Sequence, residues 1–145
     1  MATLTSTAAQ STVPAKVTVN CDITVMSDYS MGATGNPNLS AGDVLQMVRV
    51  PSGARILDVW LISDALTGGN YTVTVGDGNS AARYFGSLSP GSTSSVNKMT
   101  QAAGFVYSYS ADDTVDITIG TVTTATAAGV LRLMVKYTMD LPNSI

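Results

Sequence analysis

From Lys16 the chain alternates strictly, with Val17, Val19, Cys21, Ile23 and Val25 apolar and Thr18, Asn20, Asp22 and Thr24 polar between them. Successive side chains on a pleated backbone point to opposite faces, so this period of two predicts a half-buried β-strand. Cys21 falls on the apolar side and reads as a small core residue, not a reactive thiol. The same period returns at Tyr71, Val73 and Val75 and at Val115, Ile117 and Ile119. No comparable stretch has the 3.6-residue spacing of an amphipathic helix. The usual fillers of helix faces are scarce as well: all ten acidic residues are aspartate, and lysine plus arginine total seven. Serine and threonine supply 35 of the 145 residues, which suits strands and turns.

Eight strands are expected: Val17–Val25, Asp43–Val50, Ala54–Ser63, Tyr71–Val75, Arg83–Ser87, Phe105–Ser110, Val115–Ile119 and Val130–Thr138. Two long polar loops separate them, at 27–42 and 88–103, and Val50-Pro51-Ser52-Gly53 reads as a tight type I turn. The run ARILDVWLIS at 54–63 is apolar on both faces and predicts a central strand covered on both sides, with Trp60 as a core anchor. Phe105, Tyr107 and Tyr109 alternate and are expected on one face, in the core or at a subunit interface. Residues 1–15 read as a flexible or extended arm, 16–138 as a β-sandwich domain and 139–145 as a C-terminal tail. The fold class is all-β: a two-sheet antiparallel β-sandwich, a jelly roll of about eight strands, with another Greek-key sandwich as the alternative.

The composition excludes most chemistry. Without histidine there is no Ser-His-Asp or Cys-His nucleophile and no histidine-bound metal, and the single cysteine leaves no thiolate cluster or intrachain disulfide. Asp112-Asp113 is the one adjacent carboxylate pair, and neighbours on a strand point apart. A calcium loop beginning at Asp77 fails at Ala81 and Ala82, its fifth and sixth positions, and at Leu88, its twelfth. No cofactor is expected, and an enzyme is not. A net charge of −3 and a pI near 4.4 speak against nucleic acid. No apolar run reaches membrane-spanning length, and the first sixteen residues have no charged and apolar blocks of the kind a signal peptide carries.

The stretch GDVLQMVRVPSGARILDVWLISDALTGGNYTVTVGDGNSAARYF, residues 42–85, resembles a cassette of tailed-bacteriophage capsid decoration (cement) proteins: a strand, a proline–glycine turn, a hydrophobic strand, a hairpin and a VGDGxxAxRY segment. The resemblance implies a jelly-roll protein of the virion, on the outer capsid surface after assembly in the host cytoplasm. Its implied partners are the major capsid protein, whose subunit contacts it would stabilise, and further copies of itself as a dimer or trimer, with no nucleic acid and no membrane. It supplies no catalytic residues. Contacts are then expected from the arm with Thr3, Leu4 and Val13, from Tyr29 and Met31 in the first long loop, from Met99 in the second, and from Met139 and Leu141 in the tail. A receptor- or carbohydrate-binding module, for which Tyr107 and Tyr109 are the clustered aromatics, is the alternative. Another is a tail or head–tail joining component.

Overall fold

The computed structural model describes residues 21–31, 39–64, 71–90, 93–122 and 129–139. Eight strands run in order: β1 (Cys21–Met31), β2 (Val44–Val50), β3 (Ala54–Ser63), β4 (Tyr71–Asp77), β5 (Ser80–Leu88), β6 (Ser95–Lys98), β7 (Asp113–Val122) and β8 (Gly129–Met139). Among the described residues the only helical element is a single 3-10 turn at Ala102–Gly104. The first sheet has the order β1-β8-β3-β6 and the second β2-β7-β4-β5, all antiparallel. Four of the pairs, β1 with β8, β2 with β7, β3 with β6 and β4 with β5, join the two halves of the chain as one long folded ribbon. Wrapping that ribbon sets β8 beside β3 and β7 beside β4. The result is a jelly roll.

Val59, Leu61, Leu133 and Val135 of the first sheet face Val73, Val75, Ile117 and Ile119 of the second, each no more than 1% exposed. Side chains of this kind each contribute roughly 1.5–3 kcal/mol on burial, which makes the space between the sheets the dominant source of stability. At the turn between β2 and β3, Gly53 adopts φ +86°, where a Cβ would be strained, and Ala54 N donates to Pro51 O at 3.2 Å.

Bulges decide which residues face that space. The register of β3 against β8 slips between Ile56 and Asp58, so Ile56 and Val59, three positions apart, both point inward. Trp60 and Asp58 are thereby turned to the outer face. Trp60 is half-buried there and is not part of the buried core, contrary to the expectation of a core anchor. A matching slip in β2 between Gln46 and Val48 brings Leu45, Val48 and Val50 to the core side.

Three loop and strand assignments also change. The loop expected at 27–42 begins later, because β1 continues to Met31 with Ser27 to Met31 paired to β8. Residues 88–103 contain β6, a four-residue edge strand too short and polar to announce itself. Phe105–Ser110 is not a regular strand: Val106 has φ +60°, and the segment lies along β3 through the single bridge Arg55–Ser108 and main-chain hydrogen bonds. The expected arm at 1–15 and the tail beyond Met139 lie outside the described residues, as do Thr3, Leu4, Val13 and Leu141.

Candidate assembly surface

The VGDGxxAxRY segment builds the β4–β5 hairpin and anchors it. Asp77 Oδ1 accepts the amides of Asn79 and Ser80 at 3.0 and 2.9 Å, closing the turn, and Arg83 Nη2 reaches it at 3.3 Å. Arg83 Nε donates to Oδ2, which also accepts the Tyr109 hydroxyl at 3.2 Å. The Tyr84 and Tyr109 hydroxyls share a 2.5 Å hydrogen bond beneath this pair. Burial pushes both phenols far above their ordinary range. Gly76 has no alternative here: a Cβ would stand 1.9 Å from Ser80 O. Asp77 thus has its oxygens committed to turn amides, a guanidinium and a phenol. The segment that carries the sequence resemblance is a folding device, and Arg83 and Tyr84 are its internal parts.

The aromatic trio divides. Tyr109 is buried and Tyr107 half-buried, with the rings in edge contact at 5.1 Å and the Arg83 guanidinium 3.7 Å above the Tyr107 centroid. Phe105 is not on their face; it stands exposed at the tip of the 3-10 turn beside the exposed Val106. The left-handed backbone at Val106 breaks the alternation that the sequence suggests. With Arg83 over the half-buried Tyr107 ring and Tyr109 buried, the two tyrosines do not form a flat open stacking platform.

The outer face of the first sheet carries a run of exposed and half-buried apolar groups. Strand register aligns Met26, Met134, Trp60 and Lys98 in one row, and Asp28, Arg132, Ile62 and Val96 in the next. Met26 and Val96 are more than half exposed. Trp60 Nε1 donates to Asp58 Oδ2 at 2.6 Å, and Lys98 Nζ lies 4.6 Å from the indole centroid. The charges are matched across strands: Arg132 makes a two-pronged bond to Asp28 at 2.7 and 2.9 Å, Lys136 meets Asp22 at 3.4 Å, and Lys98 meets Asp58 at 3.7 Å. The hydrogen bond from Arg132 holds the Asp28 carboxyl below its ordinary range. The surface is therefore locally neutral, with an apolar centre, which favours contact with protein over contact with a charged polymer.

No protein-family model matches the sequence, and no curated protein does. Solved structures do match the fold. A chain in the capsid asymmetric unit of cyanophage Pam1 is 23% identical, with a TM-score of 0.72 over 96% of this chain and 99% of that one. A chain in the capsid of Ralstonia phage GP4 is 17% identical, with a TM-score of 0.67 over 84% of this chain and 86% of that one. A third, in the acidic stable capsid structure of Helicobacter pylori bacteriophage KHP30, is 15% identical at a TM-score of 0.53 over 84% and 94%. This is a fold found in phage capsid structures.

Among the described residues, Tyr29, Met99 and Met139 of the expected contact set are not gathered on one surface. Tyr29 is half-buried and packs against the core from β1, and Met139 does so from the end of β8. Met31 ends β1. Met99 has to be corrected: at 5% exposure it belongs to the core, with its amide donating to Val59 O at 2.8 Å. It follows β6 directly, so sheet pairing carries it inward. Met26, Met134, Ile62 and Val96 are the residues that sequence reasoning missed, because only strand pairing places them in adjoining rows.

Proposed function

We propose that this protein is a structural component of a phage virion, one that binds the outer surface of the capsid and stabilises contacts between major capsid protein subunits. The observation that carries this reading is the span of the match to the Pam1 capsid chain, 96% of one chain against 99% of the other. Two chains that agree over nearly all of the residues compared share one architecture, and the one so matched is part of a capsid. The locally neutral outer face with its apolar centre supports the same reading, since a protein that works by contact needs surface and not a chemical site. Self-association as a dimer or trimer belongs to this proposal, as do the arm at 1–15 and the tail as segments that lie across neighbouring subunits. A carbohydrate-binding role is less favoured, since Tyr109 is buried and Arg83 lies over the half-buried Tyr107 ring.

The test is to add the purified protein to capsids that lack it and image them by electron cryomicroscopy. Regular added density over the outer lattice is the expected result. Bare shells overturn the proposal, and density at one vertex or on the tail turns it toward a joining or receptor-binding component.

A further inference from the structure

Val106 is the one non-glycine residue among those described with a left-handed backbone, at φ +60°. A β-branched side chain is poorly suited to that region, where glycine or asparagine sits more easily. The conformation is enforced from several sides. Val106 N donates to Ile56 O at 3.0 Å, and Ile56 N donates to Tyr107 O at 2.9 Å. Gly104, just before, is wedged so tightly that a Cβ would stand 2.6 Å from Tyr84 Cδ1 and 2.7 Å from Met99 Sδ. This rigid backbone displays two large apolar side chains to solvent, Phe105 at 49% and Val106 at 59% exposure. Neither is part of the core or packs against it. Strain held in place to present uncovered apolar groups points to a use outside the domain.

A cation stands beside them. Arg55 is exposed and faces Ser108 across the β3 edge, with Nε 3.4 Å from the serine hydroxyl. Ser108 is two residues past Val106, roughly 7 Å along an extended chain. Every other described basic side chain, namely Arg49, Arg83, Lys98, Arg132 and Lys136, is within an ion pair; among the described residues Arg55 is the one that is not. We infer that Phe105 and Val106 form a preformed plug that seats in an apolar pocket of a neighbouring capsid subunit, with Arg55 meeting a carboxylate at the pocket rim. The partner is protein because an acidic chain, with net charge −3, is repelled by anionic lipid or nucleic acid, and two side chains with one cation are too small a footprint for either. A rigid plug binds without first losing conformational freedom, which is the advantage of holding the turn in place.

This inference rests on the capsid-binding reading, and one experiment separates the two. Full-length protein and the variants Phe105→Ser, Arg55→Glu, Val106→Gly and Val44→Ser are titrated onto capsids lacking the protein, and each free variant is melted. Phe105→Ser and Arg55→Glu are expected to bind on the order of tenfold or more weakly, as central anchors do, with melting unchanged. Val106→Gly is expected to melt at or above the parent temperature and yet bind more weakly, a combination that a purely structural role does not produce. Val44→Ser, exposed on the other sheet, is expected to bind like the parent. If the parent decorates the shell and Phe105→Ser and Arg55→Glu bind equally well, the plug is overturned and the capsid-binding reading stands. An equal loss in Val44→Ser also overturns the plug. A parent that does not bind overturns both.

Discussion

Trp60 and Asp58, two residues apart on β3, share the outer face of the first sheet and are joined by a 2.6 Å hydrogen bond from the indole nitrogen to Oδ2. The bond is possible because the bulge before Asp58 turns both side chains out of the sandwich. The lone tryptophan is consequently a surface group with a polar tether. Trp60→Ala is expected to cost about 1–2 kcal/mol, the scale of cross-strand and cation–π contacts at a half-buried aromatic. Phe85→Ala, at a fully buried position, should cost about 3–5 kcal/mol. Urea denaturation of both variants checks the contrast, and equal losses would return Trp60 to the core.

The Asp77–Arg83 pair makes a second prediction. The Asp77 side chain is fully buried and that of Arg83 nearly so. Removing one partner leaves the other buried and uncompensated, so Asp77→Asn is expected to destabilise by about 3–5 kcal/mol. Replacing both, as Asp77→Asn with Arg83→Met, should restore part of that loss, because the guanidinium is no longer stranded and the asparagine oxygen still accepts the Asn79 and Ser80 amides. Denaturation midpoints of the single and double variants decide the matter; a double variant worse than the sum of the singles would refute this account.

Two of the six tyrosines should be silent in an alkaline titration. Burial raises the Tyr84 and Tyr109 hydroxyls first, with the nearby Asp77 carboxylate adding to it. The folded protein therefore holds these protons where an unfolded chain, with phenols near pKa ~10, has released them. Stability falls as pH rises above that value, and both phenols ionise together with unfolding. Absorbance at the phenolate band, followed alongside circular dichroism, should show this coincidence. Six tyrosines titrating smoothly in a folded protein would contradict it.

Asp116 carries a cost that can be removed. It is 7% exposed on the outer side of β7, and Oδ1 has no hydrogen-bond partner. Burial raises its carboxyl above the ordinary range; a hydrogen bond with Thr114 opposes this, and the charges of Asp113 and Asp77 add to it. For a raised carboxyl the folded state binds the proton more tightly, so stability falls as pH rises from the unfolded value through the folded one. Asp116→Asn is expected to raise stability near pH 7 by on the order of 1 kcal/mol. The gain should shrink as pH falls and vanish below ~3, where the aspartate itself is neutral in both states. Thermal melts across that range test the sign, and a destabilised neutral-pH variant would reverse it.

Much of this fold is legible in the residues. The alternation of Val73 and Val75 and of Val115, Ile117 and Ile119 names strands and their inward faces correctly, because the period of a pleated strand is a property of the local backbone. A turn at Pro51–Gly53 is legible too, but not its type: Ala54 N closes it onto Pro51 O, one residue later than expected, and Gly53 stands third with the positive φ that a type I turn does not use. The short polar β6 is different: Ser95–Lys98 is a strand only because the edge of β3 offers it hydrogen bonds.

The candidate surface was the part least open to reading in advance. Met26, Met134 and Trp60 are far apart in sequence and meet through the pairings of β1, β8 and β3. Alternation alone groups Phe105 with Tyr107 and Tyr109, and the left-handed backbone at Val106 breaks that period. By itself the sequence determined an all-β chain, its main strands, the absence of histidine and thiol-cluster chemistry, and an acidic charge. The tertiary structure alone decided which faces turn outward, since a bulge or a left-handed residue reverses the alternation and is dictated by the neighbouring strand, not by the residues on either side.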